Sequence, residues 1–335
     1  MEKLLEVKNL SISFHTYNGE VQAVRDASFD LNRKEVLAIV GESGSGKSVM
    51  MQTILKLTPG VLGSGQILFD GNDITHYSDK QMQTIRGSQI GIIFQDAMTS
   101  LNPTMKIGRQ ITESILRHQN ATHAQAKERA LELLRQVGIN NPEKRYHQYI
   151  HNLSGGMRQR VMIAIALACQ PKLLIADEPT TALDVTIQAQ IMALLAQLKN
   201  EMDCSIVLIT HDLGVVAANA DRVAVMYAGR IVEVGTSDEI FYYAQHPYTR
   251  GLLDSIPRLN ASSEAELTYI EGSPPDALNP APGCSFCARC KYAMRICTQQ
   301  RPSQKEVGDG HLCACFLLDE EAAEIRQKLN WEVTV

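Results

Sequence analysis

The sequence has no apolar run that could cross a membrane. Its longest one, residues 161–169 (VMIAIALAC), is far shorter than the roughly 20 apolar residues that a membrane-spanning helix requires. The first six residues, MEKLLE, likewise have no apolar core of the kind that a signal peptide carries. We therefore expect a cytosolic protein, for which any role at a membrane depends on a partner.

The sequence also has no excess of positive charge. It contains 32 Lys and Arg against 37 Asp and Glu, a formal net charge of −5, and the two signs are interspersed. Because binding to a nucleic-acid backbone needs a basic face, we expect no nucleic acid as the main partner. The 44% hydrophobic and 21% charged fractions are ordinary for a soluble globular protein, and 335 residues allow one large domain with an appendage.

Cysteine is scarce over most of the chain and dense near its end. Six of the eight cysteines fall between Cys284 and Cys315, whereas Cys169 and Cys204 stand apart and are predicted to be buried, small apolar residues. In a reducing compartment such a cluster indicates metal ligands before disulfides. Thiolates bind iron–sulfur clusters and zinc alike, so the spacing leaves both possibilities open.

A glycine-rich stretch at residues 41–48, GESGSGKS, fits the phosphate-loop pattern G-x-x-x-x-G-K-[ST]. The apolar run 36–40 before it predicts a buried strand, and residues 48–56 predict a helix. In that context the backbone N–H groups can point at a polyphosphate, Lys47 can reach its β and γ phosphates, and the Ser48 hydroxyl can bind Mg²⁺. The residues predicted to bind nucleotide here are Gly41, Ser43, Gly44, Ser45, Gly46, Lys47 and Ser48.

Two acidic residues end another apolar run, which begins at residue 172. Asp177, at the end of this predicted strand, is suited to hold Mg²⁺ through water. Glu178, one residue further on, can polarise an attacking water. Two surface acids after a strand are the alternative, and the phosphate loop upstream favours the catalytic interpretation.

Gln95 and His211 follow two more predicted strands, at residues 90–94 and 205–210. The Gln95 amide can face a metal-bound water, and His211 can donate a hydrogen bond to the γ-phosphate. Taken alone, such residues are more often solvated or structural, so these assignments depend on the combination. Residues 96–103, after Gln95, are predicted to be a loop.

Residues 153–159 place a serine and two glycines directly before a predicted helix at 161–169. Ser154 is in the position of a helix cap, and with Gly155 and Gly156 it forms either a second anion site or a plain cap. The phosphate loop in the same chain favours the anion site.

Two aromatic residues near the N-terminus are candidates to hold a base. Phe14 ends a predicted strand at residues 4–14, and Tyr17 follows it, so either ring could stack on adenine. Aromatic residues in strands more often pack in a core or at an edge, and both interpretations remain.

The remaining patterns predict further strands and helices, followed by a change in composition after Pro257. The predicted strands are 21–31, 66–70 and two short ones within 223–234. The predicted helices are 107–137, 186–202, one from Glu239, one from Tyr248 and a charged tail at 319–328.

These motifs occur in the order and spacing of an ABC ATPase, which the sequence resembles over roughly residues 4–235. They are similar to that family's Walker A (41–48), Q-loop (Gln95), signature (153–159), Walker B (177–178), D-loop (181–184) and H-loop (His211) motifs. The resemblance implies an α/β P-loop NTPase fold: an ABC nucleotide-binding domain at 1–257 with an antiparallel β subdomain and an α-helical insertion at about 104–160. A linker at 258–283 and a small Cys-rich C-terminal module with a helical tail at 284–335 would follow.

Finer features resemble the oligopeptide/dipeptide importer branch of ABC ATPases. They are the stretches 94–103 (FQDAMTSLNP), 226–233 (MYAGRIVE) and 246–249 (HPYT), and the Cys-bearing C-terminus. The resemblance then covers nearly the whole chain and implies the ATPase subunit of a bacterial importer of oligopeptides and dipeptides.

The resemblance also implies a mechanism. ATP would lie on residues 41–48 of one subunit and be capped by Ser154 and Gly156 of the facing subunit. Ser48, Gln95 and Asp177 would hold Mg²⁺. Glu178 would act as general base, with Gln95 and His211 as further catalytic residues. The other implied nucleotide contacts are Phe14, Gly155, Gln159 and Asp184.

The implied assembly places this chain on the cytoplasmic face of the cell membrane as a peripheral subunit. Its partners would be a second ABC ATPase subunit in a heterodimer, two transmembrane permease subunits and a peptide-binding protein outside the membrane.

Some members of this branch carry a [4Fe–4S] cluster at their C-terminal cysteines. The resemblance assigns its ligands to Cys284, Cys290, Cys297 and Cys315. This sequence departs from the pattern by adding Cys287 and Cys313, so the choice of ligands is open, and zinc is the alternative metal.

Three other functions compete with the peptide importer. A nickel or metal-chelate importer belongs to the same branch, although many of its members lack the Cys module. A soluble ABC ATPase usually carries two cassettes or a long coiled-coil insertion, and this sequence has neither. A non-catalytic partner subunit would lack the acid at Glu178.

Overall fold

A computed structural model of the chain describes residues 2–181, 183–256, 269–329 and 331. Residues 258–268 of the predicted linker lie outside the described residues. The chain forms two compact units. The first comprises Leu31–Val36, Asp70–Ile209 and the described part of Met1–Leu4, and the second comprises Leu5–Asp30, Leu37–Phe69 and the described part of Thr210–Val335.

Within the described residues, twelve strands form, numbered here in chain order. They are β1 (Lys3–Thr16), β2 (Gly19–Asn32), β3 (Val36–Val40), β4 (Val61–Phe69), β5 (Asn72–Asp73), β6 (Ile90–Ile93), β7 (Leu173–Asp177), β8 (Ser205–Ile209), β9 (Arg222–Tyr227), β10 (Arg230–Thr236), β11 (Lys305–Gly308) and β12 (His311–Cys313).

The same part of the chain contains thirteen α-helices, none of which is long and apolar enough to cross a membrane. They are α1 (Lys47–Ile54), α2 (Asp79–Met82), α3 (Ala97–Ser100), α4 (Ile107–His118), α5 (His123–Gln136), α6 (Pro142–Tyr146), α7 (Gly155–Ala166), α8 (Val185–Met202), α9 (Leu213–Asn219), α10 (Ser237–Tyr243), α11 (Pro247–Asp254), α12 (Arg295–Gln299) and α13 (Ala323–Lys328).

The first unit contains a parallel arrangement of β6, β7 and β8, with β7 in the middle. Leu173 lies opposite Ile90 on one side and Ser205 on the other. All five residues of β7 are buried, as expected for a parallel strand covered on both faces. Asp177 is the last residue of β7, so the Asp177 carboxylate lies at the carboxyl end of these parallel strands.

Helices α4 to α7 belong to the same unit. Ile111, Ile115, Leu133 and Leu134 of these helices are buried. The predicted helical region at 107–137 contains two helices, α4 and α5, and Thr122 is the N-cap of the second. Its hydroxyl accepts from the N–H of Gln125, in a capping box that starts α5.

The second unit contains the strand β3 that leads into the phosphate loop. β3 is parallel to β9, and the order continues through β10 and β12 to β11 with antiparallel pairs. A separate sheet has the order β2-β1-β4, with β1 antiparallel to β4. These pairings agree with the expected antiparallel β region.

A buried carboxylate fixes the C-terminal residues to this sheet. Glu233 on β10 is fully buried and accepts from the backbone N–H groups of Gln245 (2.5 Å) and His246 (3.1 Å). The ring of His311 on β12 lies 2.9 Å from the same carboxylate. A buried carboxylate must find such partners, because an unpaired one costs several kcal/mol, on the order of the penalty for breaking a buried ion pair.

The structure differs from the predicted elements at several places, and β5, α2, α6 and α12 were not predicted. The predicted loop 96–103 contains α3, which Asp96 caps by accepting from Met98 N–H. Helix α9 follows Asp212, whose carboxylate accepts from Gly214 and Val215 N–H groups; that cap was not used in the prediction. Strands β11 and β12 were not predicted either, and the tail helix α13 begins at residue 323 after a turn of 3₁₀-helix. The predicted boundaries at 257 and 283 stay predictions.

Candidate nucleotide site and cysteine cavity

The phosphate loop joins β3 to α1, as predicted. Gly41 has a φ of +149°, and a Cβ there would collide with the carbonyl oxygen of Met226. Gly46 has a φ of +100°, and a Cβ there would lie 2.5 Å from the carbonyl oxygen of Ala23. These two positions therefore require glycine, because of both conformation and close backbone contact.

Lys47 lies inside the curl of this loop. Its Nζ donates to the carbonyl oxygens of Gly41 (2.7 Å) and Glu42 (2.9 Å), and its side chain is buried. Ser43 and Gly44, at the tip of the loop, are exposed. The loop thus combines an accessible backbone with an internal cation, which is the arrangement that polyphosphate binding needs.

In the first unit, Glu178 is held by two side chains. Gln95 Nε2 donates to Glu178 Oε2 at 2.9 Å, and the Thr181 hydroxyl donates to the same oxygen at 2.8 Å. The backbone of Glu178 has a φ of +45°, which is uncommon for a residue with a side chain, and its N–H donates to Ile209 at 2.9 Å. The predicted pair of Gln95 and Glu178 is therefore brought into direct contact.

The hydroxyl of Thr181 is a contact that sequence reasoning missed. The motif at residues 181–184 predicts no role for Thr181 on its own. Its position three residues after Glu178, in a turn that Thr181 N–H closes onto the Glu178 carbonyl oxygen at 3.2 Å, is the signal that would have found it.

The predicted signature residues lie at the start of α7. Ser154 is the N-cap by position, but its side chain caps no N–H, and Ser154 and Gly155 are both exposed. Gln159 is buried, and its amide donates to the carbonyl oxygen of Pro179 at 2.6 Å. Gln159 thus ties α7 to the loop after β7, and its contact with nucleotide stays a prediction.

The remaining predicted residues occupy varied environments. Asp177 is buried, His211 is exposed and Phe14 is half-buried on β1, whereas Tyr17 is fully exposed. Asp184 is the N-cap of α8, and its carboxylate accepts from the Ile187 N–H at 2.9 Å. Their roles toward nucleotide stay predictions.

Five cysteines of the second unit line one small cavity. They include all four predicted ligands and one of the two additional cysteines: Cys284, Cys287, Cys290, Cys297 and Cys315. The other additional cysteine, Cys313, is fully buried on β12. The structure therefore brings together cysteines from both ends of the cysteine-rich segment, Cys284 and Cys315.

These thiols lie in a buried environment that disfavours the thiolate form. Burial raises the pKa of Cys284 and Cys290 to about 11 and that of Cys315 to about 12, so the free thiols are uncharged at neutral pH. A bound cation would favour the thiolates. The Met294 N–H donates to the sulfur of Cys297 at 3.4 Å, a type of contact that tunes iron–sulfur sites.

Metal binding itself is not shown. Among the described residues, no group of three or more His, Cys, Asp or Glu is arranged to hold a metal ion. The iron–sulfur cluster and the zinc alternative both stay predictions.

Two protein families match the chain. The family described as ABC transporter matches residues 24–181. The family described as Oligopeptide/dipeptide transporter, C-terminal region, matches residues 232–297. The first match contains the phosphate loop and Glu178, and the second extends into the cysteine-rich segment.

Whole-chain relatives agree with these matches. The chain is 59% identical over 326 residues to the oligopeptide transport ATP-binding protein OppD of Bacillus subtilis (strain 168), covering 96% of this chain and 91% of the relative. It is 54% identical over 325 residues to the dipeptide transport ATP-binding protein DppD of the same organism, covering 96% and 97%. Among solved structures, the chain is similar to the ATP-binding cassette MJ0796, solved as a dimer in a post-hydrolysis state bound to ADP and Pi. The TM-score is 0.63 at 28% sequence identity, and the match covers 70% of this chain and 98% of the MJ0796 chain.

The fold and the phosphate loop, with the match to the transporter family, define the class of the molecule as an ABC ATPase. Within that class, the chain belongs to the family of oligopeptide and dipeptide transport ATP-binding proteins. The predicted family, the P-loop NTPase fold and the class of enzyme are thereby confirmed.

We predict that Thr181→Val lowers kcat for ATP hydrolysis by about tenfold and leaves KM for ATP nearly unchanged, because it removes one hydrogen bond that orients the Glu178 carboxylate. Thr181→Ser keeps the hydroxyl and serves as the matched control. Steady-state kinetics of the three proteins give the answer, and an unchanged kcat in the valine variant would show that this contact has no part in catalysis.

Proposed function

We propose that this chain is the ATP-hydrolysing subunit of a bacterial ABC importer that takes up oligopeptides and dipeptides through membrane permease partners. The observation that carries the proposal is the 59% identity to an oligopeptide transport ATP-binding protein over nearly the full length of both chains. The match of residues 232–297 to the transporter C-terminal region supports the same substrate class.

The phosphate loop binds the phosphates of ATP. Its exposed tip offers backbone N–H groups, and Lys47 supplies a positive charge within the loop. The predicted magnesium ligands Ser48, Gln95 and Asp177 are all hard oxygen donors, the type that Mg²⁺ prefers. Mg²⁺ held by these residues would neutralise charge on the phosphates of ATP.

Glu178 takes the proton from the attacking water. Hydrogen bonds from Gln95 and Thr181 to the Oε2 atom fix the carboxylate that we assign to the water. His211 steadies the γ-phosphate in this account, and Phe14 stacks on the adenine.

The exposed start of α7 acts on a neighbouring subunit. Ser154 and Gly155 are exposed, and the Ser154 hydroxyl makes no capping bond within its helix, which supports its use toward an anion outside this chain. Gly156, Gln159 and Asp184 complete the proposed contacts. The partner is a second ABC ATPase subunit, in a heterodimer.

The remaining partners follow from the family. We propose two transmembrane permease subunits and a peptide-binding protein outside the membrane, with this chain as a peripheral subunit on the cytoplasmic face.

The test of this proposal replaces the chain in its own cells by the Glu178→Gln variant and measures uptake of labelled dipeptides, labelled oligopeptides and nickel in parallel. We expect peptide uptake to fall by about 100-fold or more, the scale of losing a general base, while nickel uptake is unchanged. The isosteric amide keeps the shape of the site but cannot accept the proton.

Glu143→Gln, at an exposed glutamate of α6, is the matched control and should leave uptake at the wild-type level. Loss of nickel uptake alone would move the chain to the metal-importer branch. Undiminished uptake of all three substrates would contradict an import function.

For the cysteine cavity, we propose a [4Fe–4S] cluster held by Cys284, Cys290, Cys297 and Cys315. The convergence of these four thiols on one cavity supports it, and the fifth, Cys287, is the competing ligand. When bound, the cluster would cross-link the chain segments that carry its ligands.

Protein purified without oxygen should then be brown and contain iron and acid-labile sulfide, and Cys290→Ser should lose most of both. Cys169→Ser, outside the cavity, is the control and should keep them. Cys287→Ser tests the competing ligand. A colourless preparation that contains only zinc would reject the cluster.

A further inference from the structure

The cysteine-rich segment contains an arginine that reaches the phosphate loop. Arg289 lies between Cys287 and Cys290, and its guanidinium binds the carboxylate of Glu42 with two parallel hydrogen bonds. Nη1 donates to Oε2 at 2.7 Å, and Nη2 donates to Oε1 at 3.0 Å. Glu42 is the second residue of the loop, directly after Gly41.

This ion pair is sheltered and well oriented. The side chain of Arg289 is only 6% exposed and that of Glu42 is 25% exposed. The hydrogen bonds that Arg289 donates to Glu42 raise the pKa of Arg289 above its usual value, so the guanidinium stays charged. Bidentate, charge-assisted pairs of this kind are among the stronger polar contacts in proteins.

The other bonds of Arg289 fix its position. Nη1 also donates to the Tyr227 hydroxyl at 3.2 Å, Nη2 to the carbonyl oxygen of Ile270 at 3.1 Å, and Nε to that of Glu271 at 2.8 Å. Every nitrogen of the guanidinium thus has a partner. Arg289 connects the loop, the end of β9 and the chain that leads into the cysteine-rich segment.

Glu42 also links Arg289 to Lys47, the lysine of the loop. Its backbone N–H donates to the Tyr248 hydroxyl at 2.9 Å, and its carbonyl oxygen accepts from Lys47 Nζ at 2.9 Å. The rings of Tyr227 and Tyr248 pack at 4.5 Å between centroids, which supports both hydroxyls. A displaced Glu42 would therefore displace a partner of Lys47.

Charge gives the contact a second consequence. A carboxylate one residue from Gly41 would repel the phosphates of ATP if it were unpaired, because like charges repel, and more strongly in a partly buried site. The guanidinium of Arg289 neutralises it.

We propose that Arg289 is a positioning residue for ATP binding: it holds the phosphate loop in its binding shape and cancels the charge of Glu42. This inference rests on the proposed ATP-binding role of the loop. It makes the affinity for nucleotide depend on the folded cysteine-rich segment.

The test measures the Kd of Mg-ATP for the full-length chain and four variants, together with thermal midpoints. We expect Arg289→Gln to raise Kd by about tenfold or more, as loss of a buried charge partner does. Arg289→Lys keeps the charge but not the bidentate geometry and should lie between it and the wild type. Glu42→Gln combined with Arg289→Gln should recover much of the affinity, because no unpaired carboxylate remains.

Arg295→Gln, at an exposed arginine of the same segment, is the matched control and should bind as the wild type does. A merely structural role predicts a lower thermal midpoint for Arg289→Gln with an unchanged Kd in the folded fraction, and no recovery in the double variant. Either result would overturn the inference. If Arg289→Gln does not fold, Arg289→Lys decides, and a Kd for Arg289→Lys equal to that of the wild type would also overturn the inference.

Binding of Mg-ATP by the wild-type chain distinguishes failure of this inference from failure of the proposed function on which it rests. A wild-type chain that does not bind Mg-ATP would reject the proposed function and the inference together. Wild-type binding with an equal Kd for Arg289→Gln would reject the inference alone.

Discussion

The close approach of two backbones at Gly41 determines the shape of the candidate site. The carbonyl oxygen of Met226 occupies the space that a side chain at residue 41 would need, and Gly46 meets the backbone of Ala23 in the same way. Both contacts are steric, so a side chain at either position would force the loop out of this curl. Its carbonyl oxygens then face Lys47, and its exposed tip offers backbone N–H groups.

A different kind of constraint acts at Glu178. Its left-handed backbone costs on the order of 1–3 kcal/mol, and the hydrogen bond from its N–H to Ile209 helps to offset that cost. Glu178 directly follows β7, and all five residues of that strand are buried and held in place by packing. The carboxylate is therefore oriented by the backbone first and by Gln95 and Thr181 second. As the proposed base, a Glu178 that is fixed before substrate arrives would lose less entropy during the reaction.

The local parts of this site could be predicted from the sequence, and the distant contacts could not. The phosphate loop, the acids after residues 172–176 and Gln95 each follow an apolar run within a few residues, so pattern and spacing suffice. Arg289 and Glu42 are 247 residues apart, and no periodicity links them. Strand β12 has only three residues, HLC, and is fixed by its pairing with β10 and by the contact of His311 with Glu233, neither of which a local pattern contains. Ser154 illustrates a third case: its position was predicted correctly, but its hydroxyl does not cap the helix.

The central claim is that ATP hydrolysis by this chain drives peptide import. The most direct measurement reconstitutes the chain with its permease and ATPase partners in liposomes and records ATP hydrolysis and peptide accumulation in the same sample. The account predicts that ATP hydrolysis and peptide accumulation rise together when the peptide-loaded binding protein is added. Neither should rise when the binding protein is added without ATP. Peptide accumulation without ATP, or hydrolysis that never produces accumulation, would contradict it.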